Sequence, residues 1–384
     1  MEVSGLPGVR TALVHHWLVT MRGGERVLEA LVELFPSADL FTLVYDRSKI
    51  PATLGRHQIR CSLLQQFPNP TMWYRYYLPF FPLATERLDV SGYDLIISSD
   101  AATVKGVRGD AHAMHICYCH TPMRYVWNAY ETYYQTAGPI ARRIFSAIRS
   151  SLCKWDHDAA QRVTHFVANS RNVQNRIREC YGRESVVIYP PVDTNVFSMK
   201  SAVEPDGDFF LLVSQLVPYK RIDLVVEAFN KCGRPLVVIG DGPERRKLEE
   251  CARPNIRFMG SQSQKAVVQA MQQCKAFVFA GEEDFGMVIV EAQACGKPVI
   301  ALGRGGAAEI VNHGVTGMLF DEQSVDSLLD GLDQFDRTSF NPPAIRASAL
   351  RFGGQRFLAE FSMFARNALK HHLPSTAEPK QSHQ

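Results

Sequence analysis

Short apolar runs along the chain alternate with longer segments in which apolar residues recur every three or four positions. Short runs are typical of buried strands, and the longer segments are typical of helices with one apolar face. The predicted strands are residues 11–15, 94–98, 115–119, 164–168 and 185–189 in the first half, and residues 209–213, 236–239, 276–280 and 298–302 in the second half.

Two predicted helices show the apolar face plainly. The first lies between residues 25 and 35 and places on one face Val27, Leu28, Leu31, Leu34 and Phe35. The second carries one stripe, which consists of Ile222, Val225, Val226 and Phe229. Strands that alternate with helices predict parallel sheets joined by short crossovers. We therefore predict an α/β protein with one parallel sheet in each half.

A stretch of chain-breaking and polar residues separates the two halves, from residues 189–193 through 204–207. We predict domains at residues 1–195 and 205–345, and a disordered polar tail at residues 373–384. Ligands of open parallel sheets bind beyond the carboxyl ends of the strands. Two facing sheets therefore predict a ligand site in the cleft between them.

Composition is that of a soluble globular protein, with 46% hydrophobic and 21% charged residues in a chain of 384. No apolar run reaches the roughly 18 residues that span a bilayer, and the N-terminus shows no signal-peptide pattern. The nine cysteines are scattered without a C-x-x-C pair, which favours a cytoplasmic location over a disulfide framework. The net charge of +3 gives no reason to expect nucleic acid as a partner.

The segment between Glu283 and Glu291 carries the most informative chemistry. It follows the predicted strand at residues 276–280 and precedes Gly296 and Pro298, so a helix is predicted at about residues 286–295. The start of a helix leaves free amides that favour an anion. Here these amides belong to Phe285, Gly286 and Met287.

Carboxylates beside an anion site suit a ligand that carries both phosphate and hydroxyl groups. Amides would hold the phosphate, and Glu283 and Glu291 would accept hydrogen bonds from sugar hydroxyls. Their spacing of about 12 Å along a helix suits a nucleotide sugar, which has a ribose at one end and a donor sugar at the other. The alternative is an ordinary surface helix with two solvated acids.

Other candidate groups follow predicted strands and would lie at the same cleft. Gly23 and Gly24 either free backbone amides for a ligand or form a turn that needs positive φ. Lys220 stands where a cation would neutralise a diphosphate leaving group, and Arg221 either helps it or faces solvent. His120 could hydrogen-bond a sugar, act as an acid or be purely structural.

Two other motifs have weaker interpretations. The run from Gly303 to Ala308 matches the dinucleotide pattern G-x-G-x-x-A. No further strands are predicted after it, so we favour an amide-rich turn near the donor sugar over a nicotinamide site. Cys117, Cys119 and His120 have poor spacing for a metal site, and we predict a buried strand there and no metal.

The motifs together resemble retaining family 4 glycosyltransferases, most of all bacterial mannosyltransferases that build O-antigen and exopolysaccharide. The segments that carry the resemblance are residues 23–24, 118–125, 214–220, 240–243, 281–286 and 291–298, together with Gly305, Gly306 and Glu309. The resemblance implies a GT-B fold without metal or other cofactor. Two Rossmann-like domains would face each other across a cleft, an N-terminal acceptor domain and a C-terminal donor domain. The last helix, at residues 350–370, would cross back to the acceptor domain.

The resemblance also implies the roles of individual residues. Glu291 would bond the ribose, Glu283 the donor-sugar hydroxyls, Lys220 the departing diphosphate, and His120 would contact the donor sugar. The other implied donor-binding residues are Gly23, Gly24, Gln215, Arg221, Asp284, Phe285, Gly286, Met287 and Val288. Gln215 departs from the family, which has an arginine there, so one expected positive charge beside the diphosphate is missing.

The activity implied is retaining transfer of a hexose, specifically mannose from GDP-mannose, onto a lipid-linked glycan or oligosaccharide. Two alternatives stay open. One is a non-catalytic nucleotide-sugar-binding protein, which only Gln215 favours. The other is a GT-B epimerase or phosphorylase.

An anionic membrane surface is a further expected partner. Residues 73–82 are rich in aromatic side chains, and residues 139–154 mix basic and apolar side chains at helical spacing. The alternative is a helix whose apolar face covers the domain core. We expect a cytoplasmic protein that lies peripherally on the inner face of the membrane.

Overall fold

The computed structural model describes residues 8–127, 130–136, 138–200 and 207–372. Its strands form two parallel sheets, one in each half of the chain. The first sheet contains β1 Thr11–His15, β2 Asp39–Thr42, β3 Ile59–Cys61, β4 Leu95–Asp100, β5 Met114–Cys119, β6 His165–Ala168 and β7 Ser185–Val187. The second contains β8 Phe210–Val213, β9 Leu236–Ile239, β10 Ile256–Gly260, β11 Ala276–Phe279, β12 Val299–Leu302 and β13 Gly317–Phe320.

Both sheets have the doubly wound order of Rossmann-like domains. The first sheet runs β3-β2-β1-β4-β5-β6-β7, and the second runs β10-β9-β8-β11-β12-β13. All of their strand pairs are parallel. In each sheet the first strand of the domain lies inside the sheet, so the strand order reverses there and the strand ends open onto a crevice.

Helices cover the faces of both sheets. In the first half they are α1 Gly23–Leu34, α2 Ala52–Gly55, α3 Pro70–Trp73, α4 Phe81–Glu86, α5 Tyr130–Thr136, α6 Pro139–Arg162 and α7 Arg171–Tyr181. In the second half they are α8 Ile222–Cys232, α9 Arg245–Cys251, α10 Gln264–Gln273, α11 Met287–Ala294, α12 Ala307–Ile310, α13 Val325–Asp336, α14 Pro342–Leu350 and α15 Gly354–His372. Short 3-10 helices occupy Leu63–Gln66, Tyr74–Phe80, Val104–Gly106 and Pro218–Lys220.

The predicted α/β architecture with two parallel sheets is confirmed. Interior strands of parallel sheets are covered on both faces and read as continuous apolar runs, and β1, β4 and β5 are buried throughout. Four strands were not predicted: β2, β3, β10 and β13. Among them, β3 and β10 lie at sheet edges and are partly exposed, so they lack the apolar run that marks a central strand.

The last helix, α15, returns to the first domain. Its side chains Phe357, Leu358 and Phe361 are buried in the same core as Leu31 and Tyr118. The crossing is fixed where the amide of Val192 donates to the carbonyl of Phe352 at 3.0 Å. The domain bounds at residues 195, 205 and 345 stay predictions, and the polar tail at residues 373–384 lies outside the described residues.

A buried ion pair fixes the carboxyl end of β4. The ammonium of Lys105 lies 3.0 Å from the carboxylate of Asp100 and 2.5 Å from that of Asp156, and all three side chains are fully buried. Asp100 also accepts from the amide of Val104 at 2.8 Å. Removing one member of such a pair leaves an uncompensated buried charge. These contacts tie the carboxyl end of β4 to α6. Among the helices in the described part of the chain, none has the length and apolarity needed to cross a membrane.

Candidate active site

A cleft of about 1700 Å³ separates the carboxyl ends of the two sheets and is lined by both domains. Most of the predicted site residues line it. They are Gly23, Gly24, His120, Gln215, Lys220, Glu283, Asp284, Phe285, Gly286, Met287, Val288 and Glu291. Residues up to 268 positions apart in sequence, Gly23 and Glu291, therefore meet at one site.

The start of α11 faces the cleft. Gly286 precedes the helix with φ of 99°, a left-handed conformation in which glycine avoids the strain that a side chain would cause. The amide of Ile289 donates to the carbonyl of Gly286 at 2.9 Å. Amides at the start of a helix have no partner in the preceding turn. Those of Met287 and Val288 are in this position, and the helix dipole adds partial positive charge there.

Lys220 and Glu283 form an ion pair inside the cleft. Both side chains are largely buried, with 15% and 12% of their surface exposed. The ammonium of Lys220 also lies 5.4 Å from the ring centres of Tyr219 and Phe279, so two aromatic faces and a carboxylate hold it in place. The structure thus brings together the two groups to which the sequence assigned the leaving group and the sugar hydroxyls.

Glu291 lies further along α11 in the same cleft. Burial raises the pKa of its carboxyl to about 7, and Asp193 adds to the rise, while Arg26 of α1 opposes it. An acid with this pKa is partly protonated near neutral pH. Glu291 can therefore change between a donor and an acceptor of hydrogen bonds over the physiological range.

On the side of the first domain, His16 and His120 line the cleft, and His15 is buried beside them. Ser99 joins two of them, since its hydroxyl lies 3.0 Å from Nδ1 of His15 and 2.8 Å from Nε2 of His120. Burial lowers the pKa of His16 to about 4 and that of His120 to about 3, and it places the pKa of His15 well below its usual value. His120 is therefore neutral at pH 7, which favours a hydrogen-bonding role over that of an acid.

Gly23 and Gly24 open α1, and neither has positive φ. The alternative of a turn that needs positive φ is therefore wrong. A Cβ atom on Gly23 would lie 2.9 Å from Sδ of Met287, across the cleft. A Cβ atom on Gly24 would lie 3.5 Å from Nε2 of His120. Glycine is a poor helix former, so its presence here serves the close approach of α1 to α11.

Asp284 lines the cleft, but other protein groups occupy its carboxylate. Arg124 and Arg176 of the first domain both form ion pairs with it. The same loop is also held through its backbone, because Ser170 donates to the carbonyl of Asp284 at 2.6 Å and Asn172 donates to that of Glu283 at 3.2 Å. The structure therefore gives Asp284 a contact between the domains.

Glu309 provides a second contact between the domains. Its carboxylate accepts from the amides of Arg171 and Asn172, both at 2.9 Å, and so caps the start of α7. It also accepts from the hydroxyl of Tyr189 at 3.1 Å. A carboxylate at a helix start is stabilised by the free amides and the helix dipole.

Gly305 and Gly306 support the acidic loop from behind. The amide of Gly306 donates to the carbonyl of Glu283 at 2.9 Å, and a Cβ atom there would lie 1.9 Å from the carbonyl oxygen of Phe285. Neither glycine lines the cleft, and the amide-rich turn near the donor sugar stays a prediction. The helix after the glycines is α12, with only four residues, which does not suit a dinucleotide site.

The structure does not bring Arg221 into the cleft. Its guanidinium bonds Asp223 at 3.1 Å and Gln323 at 3.2 Å. Gln215 does line the cleft, and its side-chain oxygen accepts from Nη1 of Arg22 at 3.0 Å. Arg22 directly precedes Gly23 and was not among the predicted site residues.

Several contributors were missed from the sequence, and most share one recognisable position. Asn169 lines the cleft and donates to the carbonyl of His120 at 2.9 Å. Ser99, Asn169 and Ser170 all lie within two residues of the end of a buried strand, where parallel sheets place their ligand-facing groups. Arg22 directly precedes the glycine pair. Arg176 lies within α7, and no local pattern distinguishes it from the other arginines of that helix.

Comparison with known proteins places both halves of the chain among glycosyltransferase domains. Residues 21–196 match the family model described as Glycosyltransferase Family 4. Residues 193–339 match the model described as Glycosyl transferases group 1. The two facing Rossmann-like domains and the returning α15 form the GT-B architecture.

Individual proteins show the same kinship. The chain is 33% identical over 168 residues to an uncharacterized glycosyltransferase of Methanocaldococcus jannaschii. The aligned residues cover 42% of this chain and 47% of the relative. It is 34% identical over 127 residues to a GDP-mannose-dependent alpha-mannosyltransferase of Corynebacterium glutamicum, 32% of this chain and 30% of the relative. The alignment thus spans less than half the length of these relatives.

A solved structure shares the fold over nearly the whole chain. HepE of Anabaena, in complex with UDP and glucose, superposes with a TM-score of 0.68. The superposition covers 92% of this chain and 99% of HepE at 18% sequence identity. At that identity the likeness shows the fold.

Proposed function

We propose that this protein is a retaining glycosyltransferase that moves a hexose from a nucleoside diphosphate sugar to an acceptor hydroxyl. The observation that carries the proposal is the Lys220–Glu283 ion pair, held in the same cleft as the start of α11. A cation and free amides suit a diphosphate, and a carboxylate suits sugar hydroxyls. The two family matches support the same class of reaction.

The proposed donor is GDP-mannose and the proposed acceptor is a lipid-linked glycan of a cell-surface polysaccharide. The motif resemblance to O-antigen and exopolysaccharide mannosyltransferases supports both. The relative of Corynebacterium glutamicum is named for the same donor.

The cleft residues have separate proposed roles in binding the donor. The amides at the start of α11 and Lys220 bind the diphosphate, Glu291 accepts from the ribose hydroxyls, and Glu283 accepts from the hexose hydroxyls. His120, held neutral by burial, hydrogen-bonds the hexose from the opposite domain.

The proposed reaction retains the anomeric configuration without a protein nucleophile. The bond between the anomeric carbon and the diphosphate oxygen breaks as the acceptor oxygen bonds that carbon from the same face. The acceptor proton passes to the departing phosphate oxygen. Negative charge grows on the diphosphate, so Lys220 and the helix amides stabilise the transition state more than the bound donor. No metal has a role in these steps.

The direct test of this proposal is a donor screen with a lipid extract as the acceptor. Wild-type protein in buffer with EDTA should release GDP from GDP-mannose, and faster when the extract is present. UDP-glucose, UDP-galactose and UDP-N-acetylglucosamine serve as comparison donors. Release of a nucleoside diphosphate from another donor would show that the proposed nucleotide or sugar is wrong. Binding without release would indicate the non-catalytic alternative, and a changed sugar without acceptor would indicate an epimerase.

Replacement of the ion pair should separate catalysis from folding. Lys220→Gln removes a charge-assisted donor and should lower kcat about 100- to 1000-fold. Glu283→Gln should also lower turnover. Mass spectrometry of the wild type should detect no glycosyl-enzyme, because the proposed reaction uses no protein nucleophile. Lys231→Gln is the matched control, since Lys231 is exposed on α8 and pairs with Glu227. Thermal unfolding should show all three variants folded, and unchanged turnover in both cleft variants would refute these roles.

Donor binding should strengthen as pH rises from 6 to 8. The carboxylate of Glu291 accepts hydrogen bonds from two ribose hydroxyls. Burial raises the pKa of this carboxyl to about 7, so at pH 6 Glu291 is protonated in most molecules. If only the ionised form binds, the Kd of GDP-mannose falls about tenfold over this range and then levels off. Calorimetry at constant ionic strength measures it, and a nucleotide sugar is used because its diphosphate does not titrate there. Glu291→Gln should bind weakly with a flatter profile, and an equally steep profile would contradict the assignment.

We also propose that the aromatic surface at residues 72–83 meets an anionic membrane. Exposed there are Met72, Trp73, Tyr76, Phe80 and Leu83, with Tyr76 at 79% exposure. On α6, by contrast, Phe145 and Ile148 pack against the domain core and Leu152 is buried in it, while Ile144 is 47% exposed.

Liposome flotation tests the membrane surface. Wild-type protein should bind vesicles that contain phosphatidylglycerol, and binding should fall as salt rises. Tyr76→Ser with Phe80→Ser should reduce it. Met363→Ser serves as a control because Met363 is exposed on α15, away from this segment. Wild-type protein that stays with the unbound fraction at low salt would rule the surface out.

A further inference from the structure

A guanidinium from the first domain lies beside Gln215 in the cleft. By the resemblance, an arginine is usual at the position of Gln215, and glutamine brings no charge. In this structure the side-chain oxygen of Gln215 accepts from Nη1 of Arg22 at 3.0 Å. Gln215 belongs to the second domain and Arg22 to the first, 193 residues apart. The guanidinium therefore reaches this place from the opposite side of the cleft.

Local structure fixes the backbone of Arg22 in this position. Its amide donates to the carboxylate of Glu25 at 2.9 Å, which anchors the entry to α1. The next residue, Gly23, lies so close to Met287 that a Cβ atom would contact Sδ at 2.9 Å. The start of α1 is thus held against the start of α11, which bears the proposed diphosphate amides.

The diphosphate of the donor needs a second cation besides Lys220. A nucleotide sugar carries two negative charges on its diphosphate. Lys220 is already paired with Glu283, and Arg221 is bonded to Asp223 outside the cleft. Arg22 is exposed and lines the cleft together with Lys220 and Gln215. Its planar guanidinium can bind phosphate through two parallel hydrogen bonds, which a single ammonium cannot do.

We propose that Arg22, oriented by Gln215, is the second cation for the donor diphosphate, so that the acceptor domain supplies part of the donor site. This inference rests on the proposed function. An arginine at position 215 would repel Arg22, whereas the amide oxygen of Gln215 accepts a hydrogen bond from it. Because the two residues lie on opposite domains, the diphosphate site is complete only when the cleft is closed.

Paired nucleotides and nucleosides test the assignment. The Kd values of GDP, UDP, guanosine and uridine are measured by calorimetry for the wild type and for Arg22→Gln. Loss of a charge-assisted contact should weaken binding of the nucleoside diphosphate about 10- to 100-fold, while nucleoside binding stays unchanged. The double variant Arg22→Gln/Gln215→Arg, which moves the guanidinium to the family position, should recover nucleoside diphosphate binding to within about threefold of the wild type, as expected for coupled neighbours.

Matched variants separate this inference from the proposed function. Arg246→Gln should bind like the wild type, because Arg246 is exposed on α9 and pairs with Glu250. Wild-type protein that binds neither GDP nor UDP would overturn the proposed function together with this inference. Wild-type binding with equal affinity in Arg22→Gln would overturn the Arg22 role alone. That role would also be overturned if Arg22→Gln weakened nucleoside and nucleoside diphosphate binding equally, or if the double variant recovered no binding.

Discussion

Two arginines of the first domain hold one carboxylate of the second, and the functional cleft depends on this contact. Arg124 and Arg176 both pair with Asp284. All three side chains are at most 17% exposed, so the pairing is better protected from solvent than a surface ion pair. Glu309 adds a second tie by capping α7. Neither domain presents the complete set of cleft residues, so these contacts between domains assemble the site.

The same contacts join the geometry of the domains to the chemistry of the loop. Asp284 follows Glu283 directly, and Asn172 and Ser170 hold the carbonyls of these two residues from the first domain. On the other side, Gly306 supports the loop through its amide. These hydrogen bonds couple the backbone of Glu283, whose carboxylate pairs with Lys220, to the first domain. Domain position and the geometry of this loop are therefore linked in this molecule.

Local patterns in the sequence were sufficient for the central strands and for site residues on both domains. Apolar runs identify the central strands because both faces of a parallel sheet are covered, and the carboxyl ends of those strands locate Lys220, Glu283 and His120. The edge strands β3 and β10 are half exposed and leave no such signal. Contacts between domains are also invisible locally: Arg176 and Asp284 are separated by 108 residues, and their pairing depends on how two sheets face each other. Likewise, Gln215 alone indicates a lost charge, and only the facing domain reveals Arg22.

Charged and neutral groups lie in different parts of the cleft. Burial keeps His16 and His120 neutral, so these histidines add hydrogen bonds without charge. Positive charge lies beside the amides of α11 at Lys220 and Arg22, and Arg26, Arg56 and Arg356 also line the cleft. A ligand with an anionic centre and uncharged hydroxyl ends matches this arrangement, because its charge meets the cations while its hydroxyls meet carboxylates and neutral rings. A ligand of uniform negative charge would place anions against Glu283 and Glu291, which the cleft disfavours. The charges along the cleft thus suit the class of donor proposed above better than a uniformly anionic ligand.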